Sequence, residues 1–275
     1  MKFCSNGKFF TSSHQAGVNC SVDETQFAKS VFETLRTYQG SVIFAKEEHL
    51  DRLWKSAELL SIALPPLKKS PKETKQFISD SLDVCVKHNH LEKSDLRIKV
   101  LVRSTHFWIT TEKLVPLSKE EYEKGVVVVD KTFDRPFAYA KYTTPVYKKV
   151  IESQGDAFET IFFDTAGFLR EGNISNVFAV FGDTVITPER NILHGVTREK
   201  VLSLPLWQRG NEGDLQVETR EIHRDELLTA DEIFLTNTTK EIIPVREWRN
   251  WRGTSFEVAK KLRKEFHRQF IISKK

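Results

Sequence analysis

Apolar and polar positions in the first 117 residues follow strand and helix spacings in turn. "SVFETLRTYQGSVIFA" predicts two strands joined by a turn around Gly40. The next stretch, "HLDRLWKSAELLSI", places Leu50, Leu53, Trp54, Ala57 and Leu60 on one helical face. A second helix is expected from Ser70-Pro71, with an apolar face of Phe77, Ile78, Leu82, Cys85 and Val86. "LRIKVLVRS" and "HFWITT" alternate as a strand pair. Residues 1–117 are therefore predicted to form a small α+β domain.

The polar segment "VPLSKEEYEKG" marks a change to short strands separated by turn residues. Strands are expected at "VVVVD", "ETIFFD", "FLRE", "NVFAVFG", "TVITP" and on both sides of "TNTTK". Helices are predicted from Thr144-Pro145 and at "GVTREKVLSL". The last helix has a predicted capping box, Thr254 with Glu257, and an apolar stripe of Phe256, Ala259, Leu262, Phe266 and Phe270. Residues 118–275 are predicted to be a second, larger domain.

Composition narrows the class of protein. The 275 residues are 39% hydrophobic and 29% charged, which is ordinary for a globular chain. The first residues lack the apolar run of a signal peptide, and no segment reaches transmembrane length. Three widely spaced cysteines (Cys4, Cys20, Cys85) are expected to be reduced thiols in the cytoplasm. A net charge of +4, interleaved with acids, favours small-molecule partners over nucleic acid or membrane, and the basic face of the last helix is expected to be solvated.

Two loops of the second domain have the composition of anion-binding loops. In "NILHGVTREKV", Gly195 permits a tight turn and Val196 and Thr197 open a helix, whose first N–H groups attract a phosphate. In "LTNTTKEIIPV", three small polar residues centred on Thr238 interrupt an apolar strand and can form a nest of N–H groups. Each loop alone also fits an ordinary helix start or polar turn. Two of them in one domain favour a single shared anionic ligand.

Two ionisable residues lie where the chain is otherwise apolar. Lys141, between Ala140 and Tyr142, has no acid within six residues, so burial could lower its pKa and make the amine a nucleophile. Glu171 lies between two strand-like runs, directly before a glycine and small polar residues. Arg52 lies opposite the apolar stripe of its helix and is predicted to be solvated, unless that helix faces the second domain.

Four segments, in order along nearly the whole chain, carry a family resemblance: "VFETLRTYQGSVIFAKEEHLDRLWKSAELL", "GFLREGNISNVFAV", "ILHGVTREKVLSL" and "IFLTNTTKEIIPV". Together they resemble the fold-type IV pyridoxal-phosphate enzymes, or class IV aminotransferases, which include branched-chain and D-amino-acid aminotransferases and aminodeoxychorismate lyase. The resemblance implies an α+β protein of two domains, a small N-terminal α/β domain and a larger C-terminal domain with a barrel-like β-sheet, like D-amino-acid aminotransferase. It also implies pyridoxal 5'-phosphate bound between the domains, and a homodimer.

The resemblance assigns roles to individual residues. Lys141 would form the Schiff base with the cofactor and then shuttle the substrate proton, and Glu171 would hold the pyridine ring protonated. Arg52, Val196, Thr197 and Thr238 would bind the phosphate, with Gly195 supplying the turn. Asn176 is expected to order the loop after the glutamate. The cation that binds the substrate carboxylate stays open among Arg36, Arg97, Arg103 and His106.

The implied activity is amino transfer between a small amino acid and a 2-keto acid. Two alternatives are an aminodeoxychorismate lyase, which releases pyruvate to give 4-aminobenzoate, and an inactive relative that acts as a binding or scaffold protein. The chain departs from the family pattern at "FAKSVFET", which lacks the common glycine-rich segment. The Lys141–Glu171 spacing is also short by two or three residues. Thr143, Thr144 and Pro145 follow the lysine where branched-chain relatives have Asn-Tyr, which weakens the case for branched-chain specificity.

Overall fold

The computed structural model describes residues 3–10, 30–89, 94–143, 154–207 and 215–272. The described residues divide into two compact units: Met1–Val115 with Ala140–Lys148, and Pro116–Tyr139 with Lys149–Lys275. The helix predicted from Thr144-Pro145 lies outside the described residues.

The first unit is an antiparallel sheet covered on one face by two helices. Its strands are β1 (Phe3–Ser5), β2 (Lys8–Phe10), β3 (Val31–Tyr38), β4 (Val42–Ile43), β5 (Leu96–Val102) and β6 (Phe107–Lys113), in the order β2-β1-β6-β5-β3-β4. The helices are α1 (Lys46–Leu59) and α2 (Pro71–Asn89). Both predicted helices and the predicted strand pairs are confirmed.

Residue alternation along β3 separates the two faces of this sheet. Val31 and Leu35 join the core, which includes Leu53 and Ile78 from the helices, so odd-numbered β3 positions face α1 and α2. Even-numbered positions, beginning with Phe32, therefore project from the opposite face. That open face carries Arg36, Arg97 and Lys99.

The second unit is built on a nine-stranded sheet, and the fold class is the predicted α+β class with a barrel-like sheet. Its strands are β7 (Val126–Thr132), β8 (Glu159–Phe163), β9 (Leu169–Gly172), β10 (Asn176–Phe181), β11 (Thr184–Thr187), β12 (Gln216–Thr219), β13 (Glu232–Asn237), β14 (Glu241–Trp248) and β15 (Trp251–Arg252). The order is β12-β11-β10-β13-β14-β7-β8-β9, with β15 beside β14. The helices are α3 (Lys119–Lys124), α4 (Val196–Leu202), α5 (Arg224–Leu227) and α6 (Glu257–His267), and α6 continues into a π-helical turn (Arg268–Ile272).

Several strands of the second sheet are buried on both faces. Every residue of β8, β9 and β13 is buried, so these strands do not alternate between buried and exposed positions. The same strands contain Glu159, Glu171 and Glu232, all at most 5% exposed. Because a buried carboxylate needs hydrogen bonds or a cation, each of these acids is a candidate for function or for local architecture.

The predicted capping box of the last helix is wrong. Helix α6 starts at Glu257 with Phe256 in the cap position and no side-chain cap bond. Glu232 of β13 accepts the first N–H groups instead, from Val258 (2.8 Å) and Ala259 (3.0 Å). Burial raises the pKa of Glu232, and these two bonds oppose that rise. The predicted apolar stripe is confirmed at Phe256, Ala259, Leu262 and Phe266, which are buried, whereas its fifth residue, Phe270, is only half-buried.

The thiols of Cys4 and Cys85 are buried, and Cys20 lies outside the described residues. Within the part of the chain that the structure describes, no helix is both long enough and apolar enough to cross a bilayer.

Candidate active site

In the first unit, Lys141 is held through its backbone. Its carbonyl accepts the N–H of Phe32 (3.2 Å), and its N–H donates to the hydroxyl of Ser56 (3.0 Å). That hydroxyl in turn donates to the carbonyl of Arg52 (2.8 Å), so strand β3 and helix α1 together fix the lysine. The ammonium nitrogen lies 4.9 Å from the centre of the Phe32 ring, and the residue is half-buried. The side chain therefore has an aromatic neighbour.

The prediction that Arg52 is solvated is wrong. Its Nε and Nη2 atoms contact both oxygens of Glu33 at 2.7 and 2.8 Å, and its side chain is 12% exposed. His49 Nδ1 lies 2.9 Å from the same carboxylate, and both His49 and Glu33 are fully buried. Helical periodicity could not reveal this arrangement, because the pairing acid is on a core-facing position of β3.

The charges of this buried group perturb one another. Burial acts to raise the pKa of Glu33, but Arg52 and His49 outweigh it and hold the pKa well below the usual range. Burial lowers the pKa of His49, as do the charges of Arg52 and Lys141, against the opposing effect of Glu33. Lys141 is thus close enough to be part of the same electrostatic group.

The four candidates for binding the substrate carboxylate lie in two places. Arg36 and Arg97 are cross-strand partners, and they pair with acids: Arg36 with Asp95 (3.2 Å), and Arg97 with Glu112. At the other end of β5, the Arg103 guanidinium lies 5.6 Å from the Trp108 ring centre, and His106 stacks on that ring at 5.5 Å. The structure therefore does not bring the four candidates together.

In the second unit, both carboxylate oxygens of Glu171 are engaged. Oε1 lies 2.7 Å from Nη2 of Arg135, and Oε2 accepts the N–H of Leu193 (2.9 Å). Both charged side chains are less than one-tenth exposed. They line a cleft of ≈ 240 Å³ with Phe133, Phe162 and other residues. The guanidinium compensates the charge of the buried acid, and Arg135, a basic residue beside Phe133 and Phe137 in the sequence, was missed by the sequence analysis.

The bend at residues 173–175, which follows Glu171, is called here the glutamate turn. Asn176 joins this turn to the loop before helix α4. Its side-chain amide donates to the Leu193 carbonyl (2.7 Å), while its Oδ1 lies against Gly195. A Cβ at Gly195 would be 2.1 Å from that oxygen, so any larger residue requires the buried Asn176 side chain or the loop to shift. Gly195 has φ −69°, a value open to any residue. The glycine is therefore required by the close approach of Asn176, and the tight turn predicted from sequence is not the reason.

Helix α4 begins directly after Gly195 with two buried residues, Val196 and Thr197. The Thr197 hydroxyl has no hydrogen-bond partner in the described part of the chain, although it is almost wholly buried. A buried hydroxyl without a partner is unfavourable by about 1–3 kcal/mol. A bound oxyanion at this position would provide the missing partner.

The predicted nest at residues 237–239 is organised by its first residue. Asn237 Oδ1 accepts the N–H groups of Thr239 (3.1 Å) and Lys240 (2.8 Å), so two backbone donors of the turn are already used. Thr238, at the turn itself, is half-buried. The side-chain amide of Asn237 donates to the Ser175 hydroxyl (3.0 Å), which ties this turn to the glutamate turn.

Glu159 of strand β8 holds the glutamate turn through hydrogen bonds. Its carboxylate accepts the N–H groups of Ile174 (2.7 Å) and Ser175 (2.8 Å) and the Ser175 hydroxyl (2.6 Å). Burial raises the pKa of Glu159 to about 7, Glu171 adds to the rise, and these hydrogen bonds oppose it. Hydrogen bonds thus connect the glutamate turn, the loop before α4 and the 237–240 turn within one unit.

Comparison with known sequences identifies the family. The family model for amino-transferase class IV matches residues 30–248. D-alanine aminotransferase of Bacillus licheniformis is 31% identical over 266 residues, which cover 89% of this chain and 87% of the relative. Branched-chain-amino-acid aminotransferase of Pseudomonas aeruginosa is 28% identical over 246 residues, which cover 80% of this chain and 76% of the relative.

Solved structures agree with this result. Branched-chain amino acid aminotransferase of Escherichia coli has the same fold, with a TM-score of 0.79 over 98% of this chain and 94% of that one, at 23% identity. A putative branched-chain amino acid aminotransferase of Thermotoga maritima gives a TM-score of 0.74 at 26% identity, over 97% of this chain and 94% of that one. The chain belongs to the class IV aminotransferases. It is an enzyme that depends on pyridoxal phosphate, and the lyase alternative is not favoured.

Proposed function

We propose that this enzyme transfers an amino group between a small amino acid and a 2-keto acid, with Lys141 and Glu171 as its catalytic residues. The observation that carries the proposal is the surroundings of Glu171. A buried carboxylate has one oxygen on Arg135 and the other on the Leu193 N–H, 2.9 Å away, in a loop that leads to the partnerless hydroxyl of Thr197. In this proposal the acid serves the ring-nitrogen end of one pyridoxal phosphate, and the loop and hydroxyl serve its phosphate end.

Pyridoxal phosphate, when bound, accepts the electrons left on the substrate α-carbon as its proton departs. Glu171 would hold positive charge at the ring nitrogen, because Arg135 and the Leu193 N–H already orient its carboxylate. Lys141 would hold the cofactor through its Nζ, and its amine would serve as the general base and acid for the substrate α-proton. The contacts of its backbone with Phe32 and Ser56 keep the amine within reach throughout.

The phosphate is proposed to bind Val196 through its N–H, the hydroxyls of Thr197 and Thr238, and Arg52. Arg52 keeps its bidentate contact with Glu33 in this proposal, so it would offer its remaining donors as part of a pre-positioned group. Gly195 and Asn176 are proposed to shape the loop. The fit of the residues is supported by Thr197, whose hydroxyl needs an acceptor or donor.

The named relatives act on D-alanine or branched-chain amino acids, and this supports a small, uncharged amino acid as substrate. For its carboxylate, Arg36, Arg97, Arg103 and His106 remain candidates. A homodimer, a cytoplasmic location and a domain boundary near residue 117 complete the proposal.

Borohydride reduction of the cofactor-loaded protein, followed by peptide mapping, tests the assignment of Lys141. The cofactor should be fixed on Lys141, and fixation on another lysine would contradict the proposal. Incubation with small amino acids and 2-oxoglutarate should then yield keto acids. Release of 4-aminobenzoate from aminodeoxychorismate, with no keto acid from any amino donor, would instead establish the lyase.

A further inference from the structure

The open face of the first sheet is organised in rows that cross β3, β5 and β6. Directly opposed residues of antiparallel strands project from the same face, so each row is a set of neighbouring side chains. The central row is Thr34, Lys99 and Thr110. On one side of it lies an apolar row of Phe32, Leu101 and Trp108, and on the other a charged row of Arg36, Arg97 and Glu112.

Lys99 is next to the proposed catalytic lysine. Its ammonium nitrogen lies 5.2 Å from the centre of the Phe32 ring, and that of Lys141 lies 4.9 Å from the same ring. Both amines therefore lie beside the Phe32 ring, at most about 10 Å from each other. A small molecule held at Lys141 would have Lys99 within the reach of its other end.

Lys99 also differs from the neighbouring cations in its pairing. Arg36 and Arg97 each pair with an acid, whereas Lys99 forms no ion pair with any described residue. Desolvation and the charge of Arg97 lower the pKa of Lys99, and Glu112 only partly offsets them. Lys99 is an exposed residue whose neighbours in the row, Thr34 and Thr110, both carry hydroxyls, and the acids of this face are paired with the two arginines.

We propose that Lys99, together with the hydroxyls of Thr34 and Thr110, binds the carboxylate of the amino-acid substrate, and that the apolar row receives the substrate's side chain. This inference rests on the proposed function, because it takes Lys141 as the site of the reacting amino group. It specifies the substrate class as a monocarboxylic amino acid with an apolar side chain.

The chemistry of the row suits a carboxylate. An ammonium group supplies charge and up to three donors, and threonine hydroxyls on both sides can donate to the remaining lone pairs of the carboxylate oxygens. Hydrogen bonds to a charged group are worth about 1.5–3 kcal/mol, which corresponds to about 10- to 100-fold in affinity. Sequence reasoning considered only arginine and histidine for this task, and the signal it missed was the threonine opposite Lys99 on each neighbouring strand.

The test compares an acid with its amide. Cofactor-loaded protein is titrated calorimetrically with 4-methylpentanoate and with 4-methylpentanamide, which share an apolar body but differ in charge and cannot undergo amino transfer. We expect the acid to bind about 10- to 100-fold more tightly than the amide. Lys99→Met should abolish this preference with little change for the amide, and Lys99→Arg should restore most of it.

Lys113→Met is the matched control, since Lys113 is an exposed lysine at the end of β6 and should keep the full preference. An undiminished preference in Lys99→Met, or its loss in Arg103→Met alone, overturns the inference. Equal weakening of acid and amide in Lys99→Met would also contradict it. Borohydride mapping of each variant reports on Lys141 separately, so failure of the proposed function is distinguishable from failure of the Lys99 assignment.

Discussion

The surroundings of Lys141 and of Glu171 differ in which atoms are held. The lysine is fixed by its backbone, through Phe32 and Ser56, and its amine rests against an aromatic ring. The glutamate is fixed by its side chain, with each carboxylate oxygen in contact with a partner. These contacts thus hold Lys141 by its main chain and Glu171 by its carboxylate.

This difference matches the two tasks that we propose. A group that bonds, leaves and carries a proton must swing, so anchoring at the backbone preserves its range. A group that holds a charge at one atom works best when it is already oriented, because no reorganisation is then needed during the reaction. Substitutions at each of these groups test the contrast.

Removing the side chain of Lys141 should have the largest effect on the rate of amino transfer. Lys141→Ala should lower the rate of amino transfer by about 10⁴-fold, because the proton carrier is lost while the backbone contacts remain. Stopped-flow absorbance of the cofactor band during reaction with an amino donor measures this rate. Lys113→Ala serves as the control, and a rate within tenfold of wild type in Lys141→Ala would refute the role of the lysine.

Neutralising the carboxylate of Glu171 should have the next largest effect on the rate. Glu171→Gln keeps the shape of the side chain but loses its charge, so the turnover number should fall by about 10²- to 10³-fold while cofactor still binds. Steady-state kinetics with matched cofactor-binding titrations separate the two effects. Glu120→Gln, on the exposed side of α3, should leave turnover unchanged. A turnover number in Glu171→Gln equal to wild type would contradict the assignment.

The loop that orients Glu171 gives a smaller effect. In Gly195→Ala the new methyl group would meet Asn176 Oδ1 at 2.1 Å, so the loop must shift and release the Leu193 contact. Cofactor affinity should weaken by about 10- to 100-fold, as expected for overpacking at a close contact.

A second substitution sharpens this result. Asn176→Ala removes the colliding oxygen, so the double variant should bind cofactor less poorly than the two separate losses would predict. Strictly additive losses in fluorescence titrations would show that the two residues act independently.

The remaining effect is on stability and depends on pH. The pKa of Glu159 is raised by burial from 4.5 to about 7. The stabilisation linked to its proton is therefore complete below pH 4.5 and is lost as the pH rises through 7, an effect of about 3 kcal/mol. Relative to Glu159→Gln, wild type should lose stability between pH 5 and 8 in urea unfolding. A constant difference between the two proteins across this range would exclude a titrating Glu159.

Sequence patterns predicted the elements better than the contacts of the site. Both helices of the first unit and the strands around Glu171 followed from periodicity and turn residues, because local burial determines those patterns. The charged partners of Glu171 and Arg52 could not be predicted from these patterns. Arg135 reaches Glu171 and Glu33 reaches Arg52 through the folded chain, and no spacing rule relates residues 36 or 19 positions apart.

The errors have a common physical origin. Arg52 was predicted to be solvated because its helix position is polar, and Gly195 was explained by a turn because glycine often has that role. In both cases the structure supplies a tertiary neighbour, a buried acid for Arg52 and an amide oxygen for Gly195. Local propensity contains no information on such neighbours.

The carboxylate of Glu232 has a consequence for the end of the chain. Since an interior strand supplies the groups that start the last helix, removal of that helix would leave a buried acid with neither of its two donors. Shortening the protein before residue 257 should therefore damage the nine-stranded sheet itself, so the C-terminal helix is part of the scaffold and cannot be trimmed as an appendage.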